Sequence, residues 1–320
     1  MADSQILIDV VRCGFVEGHH RGSVVVMAAD GAVKFALGDP KAPIFPRSCN
    51  KPLQAAAMVR CGLDLGGELL ALAGASHSGE PFHLEGVRRI LASAGLTESA
   101  LQTPPDYPLD DEARIELIRS GAGKSSIAMN CSGKHAAMLA TCVVNDWSIE
   151  SYLSPEHPLQ QQLSRTFEEL TGEKVAAVAI DGCGAPLFAT SLIGLARGFR
   201  ALVLAEAGSA EREVADAFVG FPQFASGSRR DEAALLRAIP GAIGKAGAEA
   251  CYALALPDGR AITLKVEDGG GRARPVVMAA ILRRLGLDEE PGVDTDAVRA
   301  TGAVPLLGGG IAVGELRAAF

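Results

Sequence analysis

The sequence predicts an α+β fold, with a mainly antiparallel sheet built from both chain ends and a helical region between them. Three observations predict it. Short β-branched runs crowd the first forty residues, a hairpin signal stands near residue 258, and the segment between reads with helical periodicity.

The first strands are Ile6-Leu7-Ile8-Asp9-Val10-Val11, Gly22-Ser23-Val24-Val25-Val26-Met27 and Ala32-Val33-Lys34-Phe35-Ala36-Leu37. Asp30-Gly31 joins the last two as a tight turn, so the three read as an antiparallel meander. From Lys51 the pattern predicts helices near 51–61, 66–74, 83–95, 110–120, 133–145, 156–171, 188–199, 209–219 and 230–239. Pro257-Asp258-Gly259-Arg260 separates the strands 252–256 and 261–266, and a last helix near 273–286 precedes a Gly-rich terminus. Strands from both ends sharing one sheet tie residues 1–320 into a single α+β domain. The Pro-rich stretch 102–108 is read as a surface loop within it.

Composition narrows the function. The 320 residues are 48% hydrophobic and 21% charged, the balance of a soluble globular protein long enough to bury a substantial core. A net charge of -8 and the lack of any basic run argue against a nucleic-acid partner and favour a small molecule. The segment Met1–Gln5 carries an acid in place of a basic leader, and no apolar run reaches the ~20 residues of a membrane span. A cytoplasmic location is expected, and an apolar helical surface makes a homodimer the expected assembly. Seven cysteines without a compact framework read as thiols or metal ligands.

Five clusters carry chemistry. In Arg47-Ser48-Cys49-Asn50-Lys51-Pro52, a helix starting near Ser48 puts Ser48 and Lys51 one turn apart on one face. A serine hydroxyl needs an adjacent base to become a nucleophile, and a neutral lysine can supply it. The same spacing also fits a capping serine followed by a solvated lysine. Ser76-His77-Ser78-Gly79-Glu80 gathers polar groups behind an apolar helix. Met129-Asn130-Cys131-Ser132-Gly133-Lys134-His135 and Ile180-Asp181-Gly182-Cys183-Gly184 place two cysteines beside nitrogen donors, as a zinc site requires. No Cys-x-x-Cys appears, so buried free thiols fit the spacing equally. Lys265 interrupts an apolar strand just before Glu267-Asp268-Gly269, where it either faces solvent or supplies a second active-site amine.

The order of these clusters, together with His20-Arg21-Gly22-Ser23, resembles the rhizobial-type L-asparaginase family, also called the asparaginase II sequence family, over nearly the whole chain. The resemblance implies a fold similar to serine β-lactamases and serine-dependent glutaminases. It implies two serine–lysine pairs, Ser48 with Lys51 and Ser78 with Lys265, and a zinc held by Cys131, Lys134 and Cys183. Arg47, His135, Asp181 and Cys251 match further positions around substrate or metal. The implied reaction converts L-asparagine and water to L-aspartate and ammonia through an acyl-enzyme, with zinc shaping the pocket. A glutaminase would share this chemistry, whereas a β-lactamase would add Ser-Asp-Asn and Lys-Thr-Gly signatures that the chain lacks. The non-enzyme alternative is a metal-stabilised protein that binds a small amino acid.

Overall fold

The computed structural model describes residues 4–320. Ten strands run as β1 (Gln5–Arg12), β2 (Phe15–Met27), β3 (Val33–Leu37), β4 (Val178–Ile180), β5 (Pro186–Phe188), β6 (Ile243–Gly247), β7 (Cys251–Ala255), β8 (Ala261–Val266), β9 (Pro305–Gly308) and β10 (Ile311–Ala318). Eight of them form one sheet in the order β6-β7-β8-β2-β1-β10-β9, with β3 added on β2, while β4 and β5 make a separate hairpin. Every pairing in the large sheet is antiparallel. The mixed architecture and the contribution of both chain ends to the sheet are as expected.

The helices between β3 and β6 follow the sequence periodicity closely, for example Pro81–Ser93, Ser132–Val144 and Pro158–Thr171. Three differences have local causes. The helix expected at 188–199 spans Leu192–Leu204, because Pro186–Phe188 pairs with β4 and Ser191 then caps the helix by accepting from the Gly194 amide. The strands β6, β9 and β10 were not expected, since Gly244 and Gly247 dilute the first and Gly308-Gly309-Gly310 sits between the other two. The helix expected to begin near Ser48 begins at Lys51, after a 3-10 turn over Arg47–Asn50. Among the described residues, no helix is long and apolar enough to cross a membrane.

Both faces of the sheet are covered. Val24 and Val26, Tyr252 and Leu254, and Ile262, Leu264 and Val266 pack in one core with Val277 and Ile281 of the helix Ala273–Arg284. Their alternate neighbours Val25, Met27, Cys251, Ala253 and Ala255 turn to the opposite core, shared with the long helical region. The strands therefore read as continuous apolar runs. Lys265 falls on the second face, directly across from Cys251 and Ser23. Pleat geometry thus turns its amine toward the helical region instead of outward.

Gly22 explains how β2 and β8 approach. A Cβ at Gly22 would overlap the carbonyl oxygen of Lys265 and press on Leu7. Gly22→Ala is expected to cost about 1–3 kcal/mol by overpacking, read as a lower urea midpoint with an unchanged m-value.

A buried charge network braces β6. Lys245 Nζ donates to Glu232 Oε1 at 2.6 Å, and Arg230 bonds the other carboxylate oxygen at 2.6 Å. Burial alone would raise the Glu232 pKa, but Arg230, Lys245 and Arg274 outweigh it and hold the carboxyl well below its ordinary value. A depressed carboxyl pKa contributes stability above the unfolded value of about 4.3, and that stability is lost as pH falls toward the folded value. Urea titrations are therefore expected to show wild type well ahead of Glu232→Gln at pH 7, with the gap closing as pH drops below about 4. A gap independent of pH would contradict this.

Candidate active site

The segment holding Ser48 is bent by Arg47, whose φ of 52° lies in the left-handed region. For a residue with a Cβ this costs about 1–2 kcal/mol, so neighbours must hold it. Arg47 Nε donates to Asp181 Oδ1 at 2.8 Å, and Glu249 lies 3.8 Å from the same guanidinium. Beneath the turn, the Cys49 thiol donates to the Lys245 carbonyl at 3.0 Å. Gly247 lets β6 come so close that a Cβ there would overlap the Pro46 carbonyl. The Glu232–Lys245 brace thus stands directly behind the Ser48 turn.

Ser48 is half-buried, and its hydroxyl makes no hydrogen bond among the described residues. A 3-10 turn eclipses residues three apart, which keeps Ser48 on the Lys51 side of the segment. The Lys51 amine itself is buried and turned elsewhere. It donates to the Ala75 carbonyl at 2.6 Å, Ser76 Oγ at 2.9 Å and Cys131 Sγ at 3.0 Å. Ser48 and Lys51 are thus one turn apart as the spacing predicts, with the Lys51 amine bonded to Ser76. Pro52 and the apolar helix Lys51–Arg60 bury the lysine stem, so its head must find polar partners on adjoining loops. Ser76 was not singled out in the sequence because Ser78 stands two residues on in the same cluster, and nothing local says which of the two turns inward.

Ser78 turns away. It borders a different cleft of about 490 Å³ with Asp110, Arg229, Arg230 and Arg274, and Gly227 presses so close to its hydroxyl that no side chain would fit there. Lys265 borders a cleft of about 420 Å³ with Arg47 and Glu249, and its amine donates to the Glu249 carbonyl at 2.5 Å and the Val266 carbonyl at 2.6 Å. No hydrogen bond joins Ser78 to Lys265 among the described residues. Burial pushes the Lys265 pKa below that of an ordinary lysine, against the opposing pull of Cys251 and Glu249. Cys251 is fully buried on β7 directly opposite Lys265 of β8, and it does not line the cleft.

The third group lies around the start of the helix Ser132–Val144 and the β4–β5 turn. Cys131 caps the helix Ser132–Val144 that carries Lys134 and His135, while Cys183 sits in the turn between β4 and β5, two residues beyond Asp181. Lys134 Nζ donates to Cys183 Sγ at 3.2 Å, and all three side chains are buried. The Cys131 thiol donates to Asn130 Oδ1 at 3.1 Å and accepts from Lys51. The bond from Cys131, with help from Lys134 and His135, draws the Cys183 pKa far down, and the same bond together with burial drives that of Cys131 up. Burial works against charge on Lys134, but the two cysteines and Asp181 more than offset it. His135 Nδ1 meets the Tyr152 hydroxyl at 2.7 Å, and its buried Nε2 has no partner in hydrogen-bond geometry among the described residues.

Among the described residues no group of three or more His, Cys, Asp and Glu side chains converges as metal ligands. Two thiols and an amine nevertheless meet here in one buried spot. Soft sulfur and nitrogen donors of this kind fit zinc once the amine is deprotonated.

The chain is 16% identical to a β-lactamase from Mycobacterium bovis, covering 82% of this chain and 94% of that one at a TM-score of 0.48. It is 13% identical to EstCE1, a hydrolase with promiscuous acyltransferase activity, covering 79% and 91% at a TM-score of 0.40. It is likewise 13% identical to a protein described as Mglu, covering 84% and 67% at a TM-score of 0.42. No curated protein sequence matches. At TM-scores below 0.5 the fold assignment rests on the sheet topology and on the family match. The L-asparaginase II family model matches residues 8–318, and the chain belongs to that family of amide-hydrolysing enzymes.

Proposed function

We propose that the chain hydrolyses L-asparagine to L-aspartate and ammonia through an acyl-enzyme on Ser48. The observation that carries this is the Lys51 amine, bonded to Ser76 at 2.9 Å and rooted one helical turn from an unpartnered Ser48 hydroxyl. Ser48 attacks the side-chain amide carbon, and its proton passes to the amine of Lys51 once that amine is neutral. Ser76, already bonded to Lys51, relays a proton to the departing nitrogen. Ammonia leaves, and water attacks the aspartyl ester by the reverse route to free Ser48. Lys265 adds a second amine at the cleft, where burial favours its neutral form. Arg47 offers a cation for the substrate α-carboxylate, while Asp181 and Glu249 beside it offer anions for the α-ammonium group.

Cys131, Lys134 and Cys183 would hold zinc, with His135 close by. A bound zinc ion would fix the loops that carry Asp181 and Cys131 and orient polar groups of the substrate. Its ligand cluster also touches Lys51 through Cys131.

Rapid ammonia release from L-asparagine by wild type, lost in Ser48→Ala, is the expected result. Release from L-glutamine should be weaker, since one methylene in a fitted pocket is worth ~1–3 kcal/mol. Folded, zinc-loaded wild type that releases nothing from either amide would point to an amino-acid-binding protein instead. Ser76→Ala is expected to lower kcat by about 10²-fold or more, with Ser78→Ala affected much less. Equal losses in the two variants would return Ser78 to the site. Stripping zinc should raise KM more than it lowers kcat, because uniform binding is what is lost. A collapse of kcat at constant KM would overturn that role.

A further inference from the structure

The cleft beside the candidate active site is larger and more apolar than a primary amide of asparagine requires. It is an open cleft of about 420 Å³, and Arg47, Glu249 and Lys265 form one side of it. Asparagine has nine non-hydrogen atoms, and at the ~30 Å³ share of a liquid water it fills roughly the space of four waters. The remaining wall is apolar and comes from two segments, Pro43, Ile44 and Phe45 before the Ser48 turn and Ala179, Ile180 and Leu187 on the β4–β5 hairpin. Ile180 is 80% exposed, far more than the large apolar side chains of the cores. Ammonia as leaving group makes no use of such a wall. Apolar residues beside a few convergent charged groups are the usual lining of a small-molecule cleft.

Resting on the amidohydrolase reading above, we propose that the enzyme also cleaves secondary β-amides of aspartate whose nitrogen carries an apolar substituent, which packs on Phe45 and Ile180. The chemistry balances without a further reactant. Ser48 oxygen bonds to the amide carbon, the carbon–nitrogen bond breaks, and the nitrogen takes a proton and departs as a primary amine. Water then cleaves the ester and returns a proton to Ser48. The aspartyl half keeps its charged contacts, so the α-groups set the register while the wall selects the amine. Ile180 borders the cleft as an exposed residue at the end of β4, next to Asp181, which accepts from Arg47.

The test compares L-aspartic acid β-benzylamide with the β-ethanolamide, two substrates whose amines have similar basicity, alongside L-asparagine itself. Amine release is followed for the first two and ammonia for the third. The benzylamide is expected to show kcat/KM about tenfold or more above the ethanolamide, and that advantage should fall severalfold in Ile180→Ser and Phe45→Ser. Turnover of asparagine with no preference for the benzylamide overturns the inference and leaves the asparaginase reading standing. A preference that survives in both variants also overturns it, as does a shift of Ile180→Ser to a smaller sedimenting species with the preference unchanged. In the latter case the wall is a contact between copies. No turnover of any of the three amides overturns both readings.

Discussion

A single buried amine ties the candidate site together. Lys51 starts the helix Lys51–Arg60, yet its three donors reach Ala75, Ser76 and Cys131, so three segments distant in sequence meet at one nitrogen. Burying a lysine without partners would cost several kcal/mol, and these acceptors are what make the position tolerable. The same bonds fix where Ser76 points and bring the Cys131–Cys183 cluster next to the serines. Without that amine, the 47–51 turn, the 75–79 loop and the 129–135 helix start would have no common anchor.

The sheet supplies the other half. Because β7 and β8 are buried on both faces, the side facing the helical region carries small residues such as Ala253 and Ala255, with Cys251 and Lys265 among them. That leaves room for the Ser48 turn to sit on β6 and β7 through Cys49 and Gly247. The left-handed Arg47 is then held from the front by Asp181 and from behind by the Glu232–Lys245 brace. Strain at one residue is offset by an ion pair on either side of it.

Much of this was legible in the sequence, and the missing part has a physical pattern. Local signals placed the N-terminal meander, the 252–266 hairpin and most helices, because alternation and capping act over a few residues. The same signals missed β9 and β10, whose Gly-rich link hides their pairing with each other and that of β10 with β1. At the site, the resemblance carried by the motif order named Cys131, Lys134 and Cys183, of which Lys134 and Cys183 share a hydrogen bond. Sequence spacing could not choose between Ser76 and Ser78. That choice depends on a long-range contact with Lys51 and on Gly227 closing over Ser78, and neither is written in the local pattern. The place of Cys251 opposite Lys265 was likewise set by strand register, where a shift of one residue changes the face.

The central claim is that Ser48 carries the acyl group while Ser76 works through Lys51. Rapid mixing with L-asparagine, acid quenching within the first turnover and peptide mass analysis would test it most directly. The account predicts an aspartyl ester on the peptide containing Ser48, and none on the peptide containing Ser76 and Ser78. An ester on the latter peptide, or full turnover with no covalent species at any quench time, would contradict it.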